Sequence, residues 1–150
     1  MGKLETLILC MSQVRIGFIP GVWDLLHHGH LNVINTAKSH CDYLVVGVCC
    51  DKLVKESKNK PPIVSDVHRE HLIKNLKAVN DTFIYHDFEY HKVVERFGAN
   101  VIFVGGEFGE NEIQQKFLTY CKEEELPVYV IPRTQGISST NIKETIKEKL

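Results

Sequence analysis

Apolar runs of strand length recur along the chain at Val14–Ile19, Tyr43–Cys49, Thr82–Tyr85, Val101–Val104 and Val128–Ile131. Most are nearly continuous stretches of Val, Ile, Leu, Phe or Tyr rather than apolar–polar alternations, the pattern of strands covered on both faces. Between them, apolar residues return every three or four positions over His30–Ser39, Asp66–Ala78, Tyr90–Phe97, Asn111–Glu124 and Ser139–Lys149, the period of helices that bury one face. This alternation predicts an α/β fold: a single Rossmann-like, doubly wound domain on a five-stranded parallel sheet with right-handed crossovers. The stretch Glu56–Ser65, with Lys58, Asn59, Lys60, Pro61 and Pro62, reads as a loop inside that domain, and no internal repeat interrupts the rhythm.

At 150 residues and 43% hydrophobic content the chain can bury one core. The domain is expected over residues 14–150, with 1–13 as an N-terminal extension; Leu4–Met11 is too short for a membrane span or a signal peptide and reads as an added turn. A net charge of -1 with both signs intermixed argues against a nucleic-acid surface, which needs a basic stripe. Five cysteines, without Cys-x-x-Cys spacing, suggest neither a disulfide framework nor a zinc site, and fit a reducing cytoplasm.

Two segments carry candidate chemistry, and each follows a predicted strand directly. In Gly21-Val22-Trp23-Asp24-Leu25-Leu26-His27-His28-Gly29-His30, Gly21 permits a tight turn and Gly29 a close approach where a helix begins. Backbone amides and the imidazoles of His27 and His30, which share a helical face, can then converge on an anion; His28 points elsewhere. In Arg133-Thr134-Gln135-Gly136-Ile137-Ser138-Ser139-Thr140, the guanidinium offers a donor fork to phosphate, Gly136 allows a left-handed turn, and Ser138 can cap a helix whose amides face the anion. Strands of a doubly wound sheet present ligands at their carboxyl ends, so these two segments are expected to share one site.

The H-x-G-H spacing resembles the nucleotidyltransferase superfamily, and the Arg133 segment resembles the R-T-x-G-I-S-[ST]-T pattern of cytidylyltransferases. Across Val14 to Lys149 the chain is most similar to the glycerol-3-phosphate enzymes, with Cys41 to Val48 in support. Lys60 to Pro62 is reminiscent of phosphoethanolamine cytidylyltransferases. The resemblance implies transfer of CMP from CTP to a phosphorylated alcohol with release of pyrophosphate, magnesium accompanying CTP, and a homodimer. It places His27, His30, Lys58 and Arg133 in catalysis. Gly21, Val22, Trp23, Gly29, Thr134, Gly136, Ile137, Ser138, Ser139 and Thr140 join them around the nucleotide. Asp24, Lys60, Arg69 and Lys77 fall on the substrate side, Asp24 also as a magnesium ligand, and Asp51 matches the family but could equally cap a helix. An arginine in a first helical turn is disfavoured by the helix dipole unless an anion sits beside it, which is why Arg69 is expected to meet one.

Three positions depart from the pattern. Asn80 and Lys77 stand where aspartate and arginine are expected, on the acceptor side. Gly105-Gly106-Glu107-Phe108 is closer to the G-G-D of heptose-phosphate nucleotidyltransferases. Phosphoethanolamine, phosphocholine or sugar-phosphate acceptors, ATP as donor, and a catalytically idle nucleotide-binding homologue therefore stay open as alternatives.

Overall fold

The computed structural model describes residues 2–5 and 13–150, so the reading of Leu4–Met11 falls mostly outside the described residues. The apolar runs form strands β1 (Ile16–Gly21), β2 (Tyr43–Cys49), β3 (Asp81–Tyr85), β4 (Val101–Gly105) and β5 (Val128–Ile131). They pair in the order β3-β2-β1-β4-β5, every neighbouring pair parallel. The helices are α1 (His28–Ser39), α2 (Asp51–Lys58), α3 (Asp66–Lys74), α4 (Tyr90–Phe97), α5 (Glu112–Glu123) and α6 (Ser139–Lys149). Among the described residues no helix is long and apolar enough to cross a membrane.

Two elements differ from the expected ones. Helix α2 has no counterpart in the apolar periodicity, and its last turn takes Glu56–Lys58 out of the expected loop: its only buried residues are Leu53 and Val54, too few to show a helical period among charged neighbours. Helix α3 stops at Lys74 rather than Ala78, because Asn75 turns the chain, its amide reaching Leu72 and its side chain donating to the His71 carbonyl.

Sequence alternation along the strands sorts the core into two layers, one per face of the sheet. Leu44, Val46 and Val48 of β2 pack with Ile34, Ala37, Ile73 and Phe103 on one side. Val45 and Cys49 face the other, where Phe18, Tyr85, Tyr90 and Phe117 build an aromatic cluster. Each fully buried Val, Leu or Ile contributes about 1.5–3 kcal/mol of transfer free energy, which fixes the sheet between its helices. Strand order reverses between β1 and β4, and at such a switch point the loops leaving the carboxyl ends part to open a crevice.

Gly17 lies where that core leaves no room for a side chain, since a Cβ there would come within 2.6 Å of the Phe103 ring and 2.8 Å of Cys41 Sγ. A Cβ on Gly105, also in a strand, meets nothing within 4 Å. Gly17→Ala is expected to cost about 1–3 kcal/mol in urea unfolding, and Gly105→Ala to stay within about 0.5 kcal/mol of the parent. Equal stability of the two variants would contradict this description of the β1–β4 packing.

Candidate nucleotide-phosphate site

The segment between β1 and α1 turns without glycine: Trp23 and Leu25 hold φ of 61° and 51°, conformations that bulky residues rarely adopt. Trp23 is fixed by burial and by its indole Nε1–H, which donates to the Gly47 carbonyl at 2.9 Å. Gly21 is therefore required for a reason other than the expected one. It closes β1, and a Cβ on it would strike the Trp23 indole at 2.5 Å. Strained backbone of this kind persists only where surrounding contacts over-determine it.

His27 is the N-cap of α1, its extended backbone leading into the helix while Nδ1 accepts the Gly29 amide at 3.1 Å. His30 reaches back in return, its Nδ1 accepting the His27 amide at 3.2 Å, so that two histidines form a reciprocal capping box. A neutral imidazole whose Nδ1 accepts a hydrogen bond carries its proton on Nε2. The helix start thus sets both tautomers. The rings stack with centroids 3.8 Å apart, and Gly29 makes room for them, since a Cβ there would lie 2.9 Å from His27 and 3.2 Å from Ile137. Burial, then the His28 charge, holds the His27 imidazole below its usual range. Burial, then the charge of His27, pushes His30 down to about 4, against the weaker opposite pull of Asp24. Near neutral pH both rings are uncharged Nε2–H donors facing one cleft; His28 is exposed and outside it, as expected.

Two buried charges hold the next loop against this turn. Arg69 is 1% exposed; its Nε donates to the Val64 carbonyl at 2.8 Å, Nη1 to the Val22 carbonyl at 2.6 Å and Nη2 to Asp51 Oδ1 at 2.6 Å. The anion expected beside Arg69 is present, but it is Asp51, and Arg69 is a buried strut rather than a substrate ligand. Asp24 is 5% exposed, and its two carboxylate oxygens accept the amides of Ile63 and Val64 at 2.8 and 2.9 Å. Those bonds, with Lys143 3.5 Å from Oδ2, hold its carboxyl below the usual range despite the opposing cost of burial. The expected magnesium or substrate role of Asp24 is corrected accordingly: both oxygens serve backbone donors. Among the described residues no group of three or more His, Cys, Asp or Glu side chains is gathered as a metal site would need.

The second motif arrives from β5. Gly136 takes a left-handed φ of 81° and Ser138 caps α6 by accepting the Asn141 amide at 3.0 Å, both as expected. Thr134 Oγ1 accepts from Asn32 of α1 at 3.0 Å, and Ser139 Oγ donates to the Asp24 carbonyl at 2.7 Å, stitching α6 to the H-x-G-H segment. Arg133 is exposed and paired with Glu107 at 2.6 Å across the cleft rim. The cleft, about 610 Å³, brings together Gly21, Val22, Trp23, Asp24, His27, Gly29 and His30 with Lys58, Lys60, Arg133, Thr134, Ile137, Ser138, Ser139 and Thr140. Lys143 and Lys147 of α6 line it too, and sequence reasoning missed them because lysines late in a terminal helix read as solvated. Lys77 and Asn80 do not: they precede β3, at the opposite end of the sheet. There Asn80 is structural, its Oδ1 accepting from the Leu44 amide at 2.9 Å and from Lys38 at 2.5 Å.

The switch-point crevice of this doubly wound sheet brings together paired imidazoles, the N-termini of two helices and several cations, a set suited to phosphate groups, and the class to which the chain belongs is that of the nucleotidyltransferases. The chain belongs to the cytidylyltransferase-like family, whose model matches residues 18–145. The bifunctional protein HldE of Nitrobacter winogradskyi is 32% identical over 130 residues, 86% of this chain and 26% of that protein. HldE of Helicobacter pylori is 30% identical over 146 residues, 97% of this chain and 30% of that protein. The chain thus spans between a quarter and a third of the length of these relatives. Among solved structures, the lipopolysaccharide core biosynthesis protein of Thermoplasma volcanium shares the fold, with a TM-score of 0.67, 24% identity, and coverage of 81% of this chain and 98% of that one.

The partly buried His30 ring makes stability depend on pH. An unfolded histidine titrates near 6.5, about 2.5 units above His30, so the native state binds fewer protons between those values. The stabilisation is complete above pH 6.5 and is lost as pH falls toward 4. Between pH 7 and 5 the parent should lose about 2 kcal/mol more than His30→Gln in urea unfolding, the glutamine keeping the capping box. Parallel losses in the two proteins would refute the assignment. Arg69→Met should cost about 3 kcal/mol by leaving Asp51 and two carbonyls without their donor. A change in substrate KM with no loss of stability would return Arg69 to the substrate.

Proposed function

We propose that the chain transfers CMP from magnesium-bound CTP to a phosphorylated alcohol, glycerol-3-phosphate foremost, yielding a CDP-alcohol and pyrophosphate. The observation that carries the transfer is the pair of stacked imidazoles, each engaged at Nδ1 by a backbone amide, that line one cleft together with Lys58, Lys60, Arg133 and Lys143. An oxygen of the acceptor phosphate attacks the α-phosphorus in line, the bond from that phosphorus to the bridging oxygen breaks, and the electron pair leaves with pyrophosphate. The acceptor oxygen is already anionic near neutral pH, so the step needs no general base. The protein's task is to align two anions and stabilise the charge that builds on the phosphoryl oxygens. His27 and His30 suit it as donors that add no charge of their own to the site. Lys58, at the end of α2, and Lys60, in the loop that Asp24 and Arg69 hold in place, flank the triphosphate, and magnesium enters as part of the substrate, bound by nucleotide oxygens and water. The choice of CTP and of a glycerol-type acceptor rests on the resemblance at Arg133–Thr140 and along Val14–Lys149.

A second reading, an ATP-dependent transfer to a sugar phosphate, is favoured by Gly105-Gly106-Glu107 and by the position of Glu107 at the rim, paired with Arg133. Pyrophosphate release, measured with CTP and ATP against glycerol-3-phosphate, phosphoethanolamine, phosphocholine and sugar phosphates, separates the two. Release with CTP and one phosphorylated alcohol is expected. A clear preference for ATP with a sugar phosphate selects the second reading. His27→Asn preserves the helix cap while removing the Nε2 donor, and should lower kcat by about 10²–10³-fold with little change in unfolding. Parent-level turnover would take His27 out of the reaction.

A further inference from the structure

Asn32 belongs to neither motif and lies outside the cleft lining, just beyond His30 on α1. Its Nδ2 donates to Thr134 Oγ1 at 3.0 Å, across 102 positions of sequence. A hydroxyl carries one proton, and a hydroxyl oxygen that accepts from an amide keeps that proton for another partner. Thr134 lines the cleft, half-buried, where the proton is available to a ligand. The neighbouring hydroxyls divide by the same accounting. Ser138 accepts the Asn141 amide and retains its proton, whereas Ser139 gives its own to the Asp24 carbonyl.

We propose that Asn32 is a positioning residue of the nucleotide site: by donating to Thr134 it holds the threonine as a hydrogen-bond donor toward a phosphate oxygen of the nucleoside triphosphate. This rests on the nucleotidyl-transfer reading above and adds to it a residue that acts without touching the ligand. The direction of the contact carries the argument. An ionised phosphate oxygen accepts hydrogen bonds and donates none, so a hydroxyl presented oxygen-first repels it and one presented proton-first binds it. A side chain at position 32 that only accepts would draw the threonine proton toward the helix and away from the cleft. An amide tethers the loop after β5 to α1 and leaves that proton facing the ligand, without adding a charge. The two imidazoles are directed in the same manner, each accepting a backbone amide at Nδ1 so that its proton sits on Nε2.

The test compares two substitutions that a mere tether and a proton-directing contact rank in opposite order. Asn32→Asp keeps a hydrogen bond to Thr134 but reverses it, since an ionised carboxylate only accepts. Asn32→Leu breaks the bond and leaves the hydroxyl to rotate. The whole chain is titrated calorimetrically with CTP in the presence of magnesium, and KM values are taken for CTP and for the acceptor. Asn32→Asp should weaken CTP about tenfold or more, as for loss of a charge-assisted hydrogen bond. Asn32→Leu should weaken it only about threefold, the cost of fixing one rotor with three staggered wells. The acceptor KM should stay at the parent value in both. Asn35→Asp, which adds the same charge farther along α1, should leave CTP binding near the parent. In a Thr134→Val background Asn32→Asp should lose most of its effect, because no hydroxyl is left to turn. A loss in Asn32→Leu that equals or exceeds that in Asn32→Asp makes the contact a tether and overturns the proposal. An Asn32→Asp effect that persists without the Thr134 hydroxyl overturns it too, and both results leave nucleotidyl transfer standing. A parent protein that binds neither CTP nor ATP overturns that reading and this one together.

Discussion

The site depends on one constraint: backbone that leaves the ends of parallel strands has no ladder to satisfy its polar groups, and here two buried side chains of opposite charge do so. Arg69 supplies donors to the carbonyls of Val22 and Val64. Asp24 supplies acceptors to the amides of Ile63 and Val64. Both reach between the same two segments, the turn after β1 and the loop after α2, so each buried charge is neutralised by hydrogen bonds and by a partner: Asp51 for Arg69, Lys143 for Asp24. Burying either charge alone would cost several kcal/mol, but buried as hydrogen-bonded hubs they fix a strained turn in one conformation. Everything that faces the cleft is positioned from this junction.

The histidines illustrate what that rigidity provides. An imidazole on a flexible loop would titrate near its ordinary value and exchange its proton between two nitrogens. Placed at the first turn of α1, each ring accepts an amide at Nδ1, which settles the tautomer, and burial keeps the rings neutral. Two positive charges on rings 3.8 Å apart would repel one another, so the stacked arrangement disfavours protonation of both rings at once. Donor direction, not standing charge, is what the site offers at this point.

Much of the fold was legible because it is written in local pattern. Continuous apolar runs matched β2 and β5 to the residue, and the glycine and serine of the Arg133 motif took the turn and cap that their chemistry requires. Reading failed where a residue's partner lies far along the chain. The physics that demanded an anion beside Arg69 was sound, but that the anion is Asp51, 18 residues earlier, is settled only when α2 and α3 come together. Asp24 was expected to serve metal or substrate because it matches an aspartate of the family it resembles. Nothing in the sequence announces that the amides of Ile63 and Val64, about 40 residues away, occupy it. Lys77 failed for a topological reason: a residue before a parallel strand and one after it lie at opposite ends of the sheet.

The charge balance of the cleft follows from the same reasoning. A pocket lined only by cations would repel itself, and its lysines would spread into solvent, so that a ligand would have to bear the entropy of ordering them again. Here Arg133 rests on Glu107 at the rim and Lys143 rests beside Asp24 within, while the histidines stay neutral. The two carboxylates differ in what they allow. Glu107 is exposed, and its pair with Arg133 is a surface one of small net worth, so a phosphate can displace it. Asp24 is buried and held by backbone amides, so it stays when an anion arrives and continues to orient Lys143. With two of its five cations, Arg133 and Lys143, resting beside carboxylates, the site repels itself less than those cations alone would, and a multiply charged ligand meets side chains already in place.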